Sequence, residues 1–282
     1  MAGNAGNAGN AGNAGGVGAV GGGGLVSVLP DRVDLPFVTV DEPPGNPISA
    51  QRINIPVYPA RRWSAEWHAW YALSEYVATG WGAITVNPWN NAAASVNAEI
   101  DQLVRAAQNE RADALGEIVA QNDEFASYFI ALLTLEPAGY PATWLLINIA
   151  SIVGTFTVLH FKNGIAGAQS YQPRPRPSQV CPALSPPVPI PGHPSYPSGH
   201  STEGHLIALV LDDVLSASIQ GPTMQIDLMA LADRIARNRE IAGLHYPSDS
   251  AAGKQLASDI LPYIQKMPIY QSALIEARKE WA

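Results

Sequence analysis

The chain has 282 residues, 47% of them hydrophobic, and a formal net charge of -8. That size supports a sizeable core in one large domain or two small ones. The acidic balance excludes a basic stripe for nucleic acid, so any anion site must be a local positive pocket. A single cysteine, Cys181, excludes an internal disulfide.

Residues 2–15 repeat Ala-Gly-Asn with period three. No proline stiffens the repeat, and few apolar side chains offset its ordering entropy, so a disordered tail is expected over residues 1–24. Neither a basic start nor an apolar run marks a secretory signal there, and a soluble, cytoplasmic chain is the expectation. Residues 25–60, rich in proline with short Val/Ile runs, read as an extended arm with room for a short strand. Such an arm could reach a neighbouring subunit of a homo-oligomer.

Helical patterns dominate residues 61–282, taken as one domain. Trp63, Trp67, Trp70, Tyr71 and Leu73 recur at helical spacing over 63–79 and read as a core stripe. Residues 97–121 read as one amphipathic helix, with Ile100, Leu103, Val104, Ala107 and Leu115 inward and Glu110 and Arg111 on a solvated face. Apolar helices follow over 123–135 and 141–162, broken by Pro137 and Gly139. The stretch 143–161 is long enough to span a bilayer, but its polar residues favour a buried core helix, and membrane insertion is not expected. Residues 172–198 form a long Pro-rich loop. Helices are predicted at 199–216 and 226–243, then from Pro247 and from Tyr270. No alternating strand pattern recurs, so the class is all-α.

Three clusters carry chemistry. In Arg174-Pro175-Arg176-Pro177 the prolines hold the backbone extended and aim two guanidinium forks roughly alike. A solvated basic loop is the plainer alternative. Pro197-Ser198-Gly199-His200 precedes an apolar helix. There Ser198 can cap, Gly199 admits a ligand to the backbone, and free N–H groups attract an anion. Arg239, His245 and Asp249 straddle a break where Gly243 ends one helix and Pro247 opens the next. Four residues apart, Asp249 can accept a hydrogen bond from one nitrogen of His245 and leave the other as nucleophile or metal ligand.

In order and spacing these clusters resemble the superfamily of type-2 phosphatidic acid phosphatases, class A acid phosphatases and vanadium haloperoxidases. The resemblance covers roughly residues 60–265. It implies an all-α helical bundle behind a Pro/Gly-rich N-terminal arm, with the site between core helices. It also implies a phosphoric-ester hydrolase without a required cofactor, acting on a small-molecule phosphoester. His245 would form a phosphohistidine, oriented by Asp249, and His200 would serve as acid and base. Arg176, Arg239, Ser198 and Gly199 would hold the phosphoryl oxygens. In the haloperoxidase alternative the same pocket binds vanadate, with His245 as its ligand. The chain's shortness leans toward the phosphatase. Two positions depart from the pattern. Where the family has a lysine this chain has Gln169, and where it has a serine before the third-motif arginine this chain has Asn238. Lys162 or Arg174 could compensate for the lost cation. If neither does, a non-catalytic oxoanion-binding relative is the third reading. His193 could touch substrate or be a plain loop residue, and Glu203 reads as an exposed acid in the first helical turn.

Overall fold

The computed structural model describes residues 63–163, 173–216, 218 and 221–282, together with two short strands. Strands β1 (Val38–Thr39) and β2 (Ser49–Ala50) pair antiparallel, Val38 opposite Ala50. The tail and the rest of the arm lie outside the described residues, as does Gln169.

Ten α-helices follow among the described residues: α1 (Ala65–Val77), α2 (Ala93–Asn109), α3 (Arg111–Asp123), α4 (Ala126–Leu132), α5 (Pro141–Lys162), α6 (Pro177–Val180), α7 (Gly199–Leu215), α8 (Gly221–Ile241), α9 (Pro247–Ile264) and α10 (Pro268–Glu280). The all-α expectation holds. Helix α7 is central and packs against α5, α8 and α9, while α1 and α10 cover the far side of α5. One apolar cluster runs through these elements, including Leu146, Ile149, Val153, Leu206, Val210, Ile235 and Leu256. Helix α5 is apolar enough and long enough to cross a membrane, but 67% of its most apolar window is buried inside the fold.

Local chemistry explains the helix ends. Prolines open α5, α9 and α10, where a missing N–H costs nothing. Gly243 stops α8 at φ +78°, a conformation that glycine adopts without steric cost. Gly253 of α9 packs so closely on the start of α7 that a Cβ there would lie 2.6 Å from the Ser198 carbonyl oxygen.

Three sequence expectations change. The tryptophan stripe of α1 faces outward, with Trp67 65% and Tyr71 60% exposed. Ala69, Ala72 and Tyr76 make the buried face instead, because small residues let α1 approach α5 closely. Residues 97–121 are not one helix: the chain turns at Glu110. Arg111 there is half-buried rather than solvated, donating to the carbonyls of Ile241 (3.0 Å) and Leu184 (2.7 Å). Helix α4 is shorter than predicted, because the Glu124 carboxylate accepts the Ser127 N–H and caps a new start.

Candidate active site

Helix ends that are distant in sequence converge on one cavity of about 30 Å³. Lys162 comes from the end of α5, Gly199 and His200 from the start of α7, and Arg239 from the end of α8. His245 comes from the junction before α9, and Asn122 from the end of α3. The Pro-rich loop contributes Arg176, Pro191 and His193. Val158 and Leu159 supply an apolar wall.

His245 Nδ1 lies 3.2 Å from Asp249 Oδ2. On its other side Arg176 Nη1 donates to His245 Nε2 at 2.9 Å and to the Leu244 carbonyl at 2.9 Å. An arginine only donates, so Nε2 carries the lone pair and Nδ1 carries the proton given to Asp249. Asp249 is fully buried and further held by Arg174 Nη1 (2.6 Å), the Ser195 hydroxyl and the Tyr246 N–H (3.0 Å). Burial first, then the charges of Arg176, Lys162 and Arg239, hold the His245 imidazole well below its ordinary range. The ring is therefore neutral, with its lone pair on Nε2.

Cations surround that nitrogen. Arg239 is 1% exposed, yet among the described residues its guanidinium makes one hydrogen bond, from Nη2 to Asn122 Oδ1 at 3.1 Å. Its Nε and Nη1 are buried without a partner. Burial, then Arg176, pushes Arg239 down to about 9. Arg176 also donates to the His193 carbonyl (3.2 Å) and to His193 Nδ1 (3.1 Å), and burial lowers it to about 10. Lys162 is buried and donates to the carbonyls of Pro194 (2.7 Å) and Ser195 (3.1 Å). Burial, then Arg176, holds its ammonium well below the usual lysine range. Unpartnered buried donors cost on the order of 1–3 kcal/mol each, and more when charged. A tetrahedral oxoanion would satisfy them all.

His200 donates from Nε2 to the Gln121 carbonyl (3.2 Å) and packs on Phe125, leaving Nδ1 as its second titrating nitrogen. Burial, then Arg239 and His245, holds it well below its ordinary range. Ser198 is the N-cap of α7, its hydroxyl accepting the Ser201 N–H at 3.3 Å. It is absent from the cavity lining, whereas Gly199 is part of it.

Some residues hold other places than expected. Arg174 faces away from the cavity: it pairs with Asp249 and Glu99 (2.6 Å each) and stacks on Tyr246 at 3.6 Å. It is the support of the aspartate, not a phosphate ligand. His193 lines the cavity, with burial, Lys162 and Arg176 pushing it down to about 3. Glu203 is not an exposed first-turn acid; it is 1% exposed. Asn122 was missed because nothing in an amphipathic helix marks its last turn as a pocket wall. Asn238 donates to Glu117 (2.9 Å) and Gln121 (2.9 Å), tying α8 to the helix end that presents Asn122.

No family model matches the chain. The chain is 33% identical over 86 residues to the non-specific acid phosphatase of Salmonella typhimurium and 32% identical over 88 residues to that of Providencia stuartii. A third, from Salmonella typhi, is 31% identical over 86 residues. These matches cover 30–31% of this chain, and the chain spans about a third of the length of the curated relatives it matches. Over that shared stretch the chain is similar to non-specific acid phosphatases.

Proposed function

We propose that the protein is a phosphoric-ester hydrolase of the acid phosphatase kind, acting on small phosphoesters through a phosphohistidine. The observation that carries this reading is the buried guanidinium of Arg239, with two unpartnered donors beside a histidine whose tautomer puts its lone pair on Nε2. The similarity to acid phosphatases points the same way.

Arg176, Arg239, Lys162 and the Gly199 N–H hold the phosphoryl oxygens. His245 Nε2 attacks phosphorus, and the P–O ester bond breaks. For this step His200 must be the imidazolium, a form that the charge of a bound phosphoester favours; the leaving oxygen takes its Nδ1 proton and departs as the alcohol, leaving His200 neutral with its proton on Nε2. A water then attacks the phosphohistidine, giving its proton to His200, and phosphate leaves with His245 restored. Asp249 keeps the Nδ1 proton in place and stabilises the positive ring that forms during transfer. Lys162 supplies the cation that Gln169 cannot, which weighs against a non-catalytic oxoanion binder.

Hydrolysis of p-nitrophenyl phosphate tests the reading, with His245→Ala as control. Activity that orthovanadate inhibits and the substitution abolishes supports it. Halide oxidation by peroxide, appearing only after vanadate loading, would replace it with the peroxidase chemistry. No activity above the variant's background across several phosphoesters would sink it.

A further inference from the structure

Glu203 lies on α7, three residues after His200, and the chemistry above leaves it unused. Ser151 of α5 donates to its Oε2 at 3.2 Å, while Oε1 is buried without a partner. Oε1 lies 3.9 Å from where a Cβ on Gly199 would stand, so it underlies the pocket floor. Across the helix interface, a Cβ on Gly154 would come within 3.0 Å of the Glu203 Cγ. The glycine makes room for this acid. An ionised carboxylate there would be buried with hydroxyl donors and no paired cation, which is costly. A protonated carboxyl is the state that such surroundings stabilise.

We propose that Glu203 is a positioning residue: a neutral carboxylic acid beneath the pocket, whose proton keeps a negative charge away from the oxoanion and leaves the Lys162 ammonium to face it. Burial raises its ionisation well above the usual carboxylate range, opposed by the hydroxyls of Thr155 and Ser151 and by the charge of Lys162. Lys162 on α5 is the charged group acting on it, and His200 and His205 are the titratable residues beside it on its own helix, while α8 contributes Arg239 to the pocket above it and α9 the Asp249 that holds His245. As pH rises and Glu203 ionises, its negative charge repels a bound oxoanion; the lowered Lys162 loses its own charge in the wild type and in a Glu203 variant alike, so the difference between the two reports Glu203. The proposal rests on the pocket's being an oxoanion site and is independent of hydrolysis.

Calorimetric binding of inorganic phosphate, from acid to alkaline pH, compares the wild-type protein with Glu203→Gln. The amide mimics the neutral acid and cannot ionise. Equal affinities are expected at acid pH. On the alkaline side the wild-type affinity falls about tenfold below the variant's, the size of a 1.4 kcal/mol charge interaction. Curves that stay parallel throughout would overturn the proposal. Infrared spectroscopy of the wild-type protein gives a second readout that needs no variant to fold. A buried protonated-carboxyl band at neutral pH, lost on alkaline titration, is expected, and its absence would also overturn the proposal. Phosphate binding without ester hydrolysis would refute the hydrolase reading and leave this one standing.

Discussion

Arg176 Nη1 donates to His245 Nε2 across 2.9 Å, so the lone pair required for attack is engaged until something draws the guanidinium away. On the proposed phosphatase reading, a bound oxoanion takes over this donor and frees the ring nitrogen. Arg176→Ala is expected to lower kcat/KM about 10²–10³-fold, the usual loss for one transition-state donor. Labelling of His245 by an imidazole-directed reagent should speed up in the same variant, since Nε2 is then free. Slower labelling would show that Arg176 is not what covers the ring.

Lys162 and Gln169 make opposite predictions about where the missing cation went. Lys162→Met should cost about 10²-fold in kcat/KM by removing a charge-assisted contact. Gln169→Ala should leave kcat/KM within about twofold, as ordinary substitutions away from a site do. The reverse pattern in steady-state assays would return the oxoanion contact to position 169.

His193, His200 and His245 all titrate below the ordinary histidine range in the folded protein. Unfolded, they take up protons near pH 6.5. Below that pH the unfolded chain binds more protons than the native one, so stability falls with acidification by up to about 1.4 kcal/mol per pH unit for each histidine. Glu203, raised in the fold, works in the other direction above the ordinary carboxylate range and offsets part of this. Thermal melting at neutral and mildly acid pH should show a lower Tm on the acid side, and a flat or rising Tm would contradict the neutral assignment. The same shifts keep His245 unprotonated into acid, so with His245 as the proposed nucleophile the acid limb of kcat/KM should lie below the ordinary histidine range.

Gly253→Ala tests the contact between α9 and the start of α7. The added methyl would meet the Ser198 carbonyl, Ser201 Cβ at 2.9 Å and the Thr202 nitrogen at 3.1 Å. Backbone cannot yield there as a flexible side chain could. A loss of roughly 1–3 kcal/mol in stability is expected, as for overpacking. Activity should fall with it, because the start of α7, which carries Gly199 and His200, must shift. Unchanged denaturant midpoints would mean that the helices separate at little cost.

Two of the three motifs were legible because each is local: Ser198 caps, Gly243 and Pro247 break and restart a helix, and four residues separate His245 from Asp249. What periodicity could not decide was which face of α1 is inward, since Ala69 and Ala72 matter only when α5 lies against them. Glu203 looked exposed because the first turn of an isolated helix is solvated, and only the packing of Gly154 removes that water. Arg174 and Arg176 looked equivalent, two residues apart on one extended strand of prolines. Their partners, Asp249 for one and His245 for the other, are defined only once α9 is in place.

The ammonium of Lys162 is anchored by the carbonyls of Pro194 and Ser195, not by any fixed count of residues to Arg176. Contour length and spatial position are decoupled at that point. The segment joining the two residues can therefore gain or lose amino acids over evolutionary time without moving the charge. Length changes between the two residues would leave the ammonium on the same two carbonyls, so the charge of the pocket is set by packing and not by spacing along the chain.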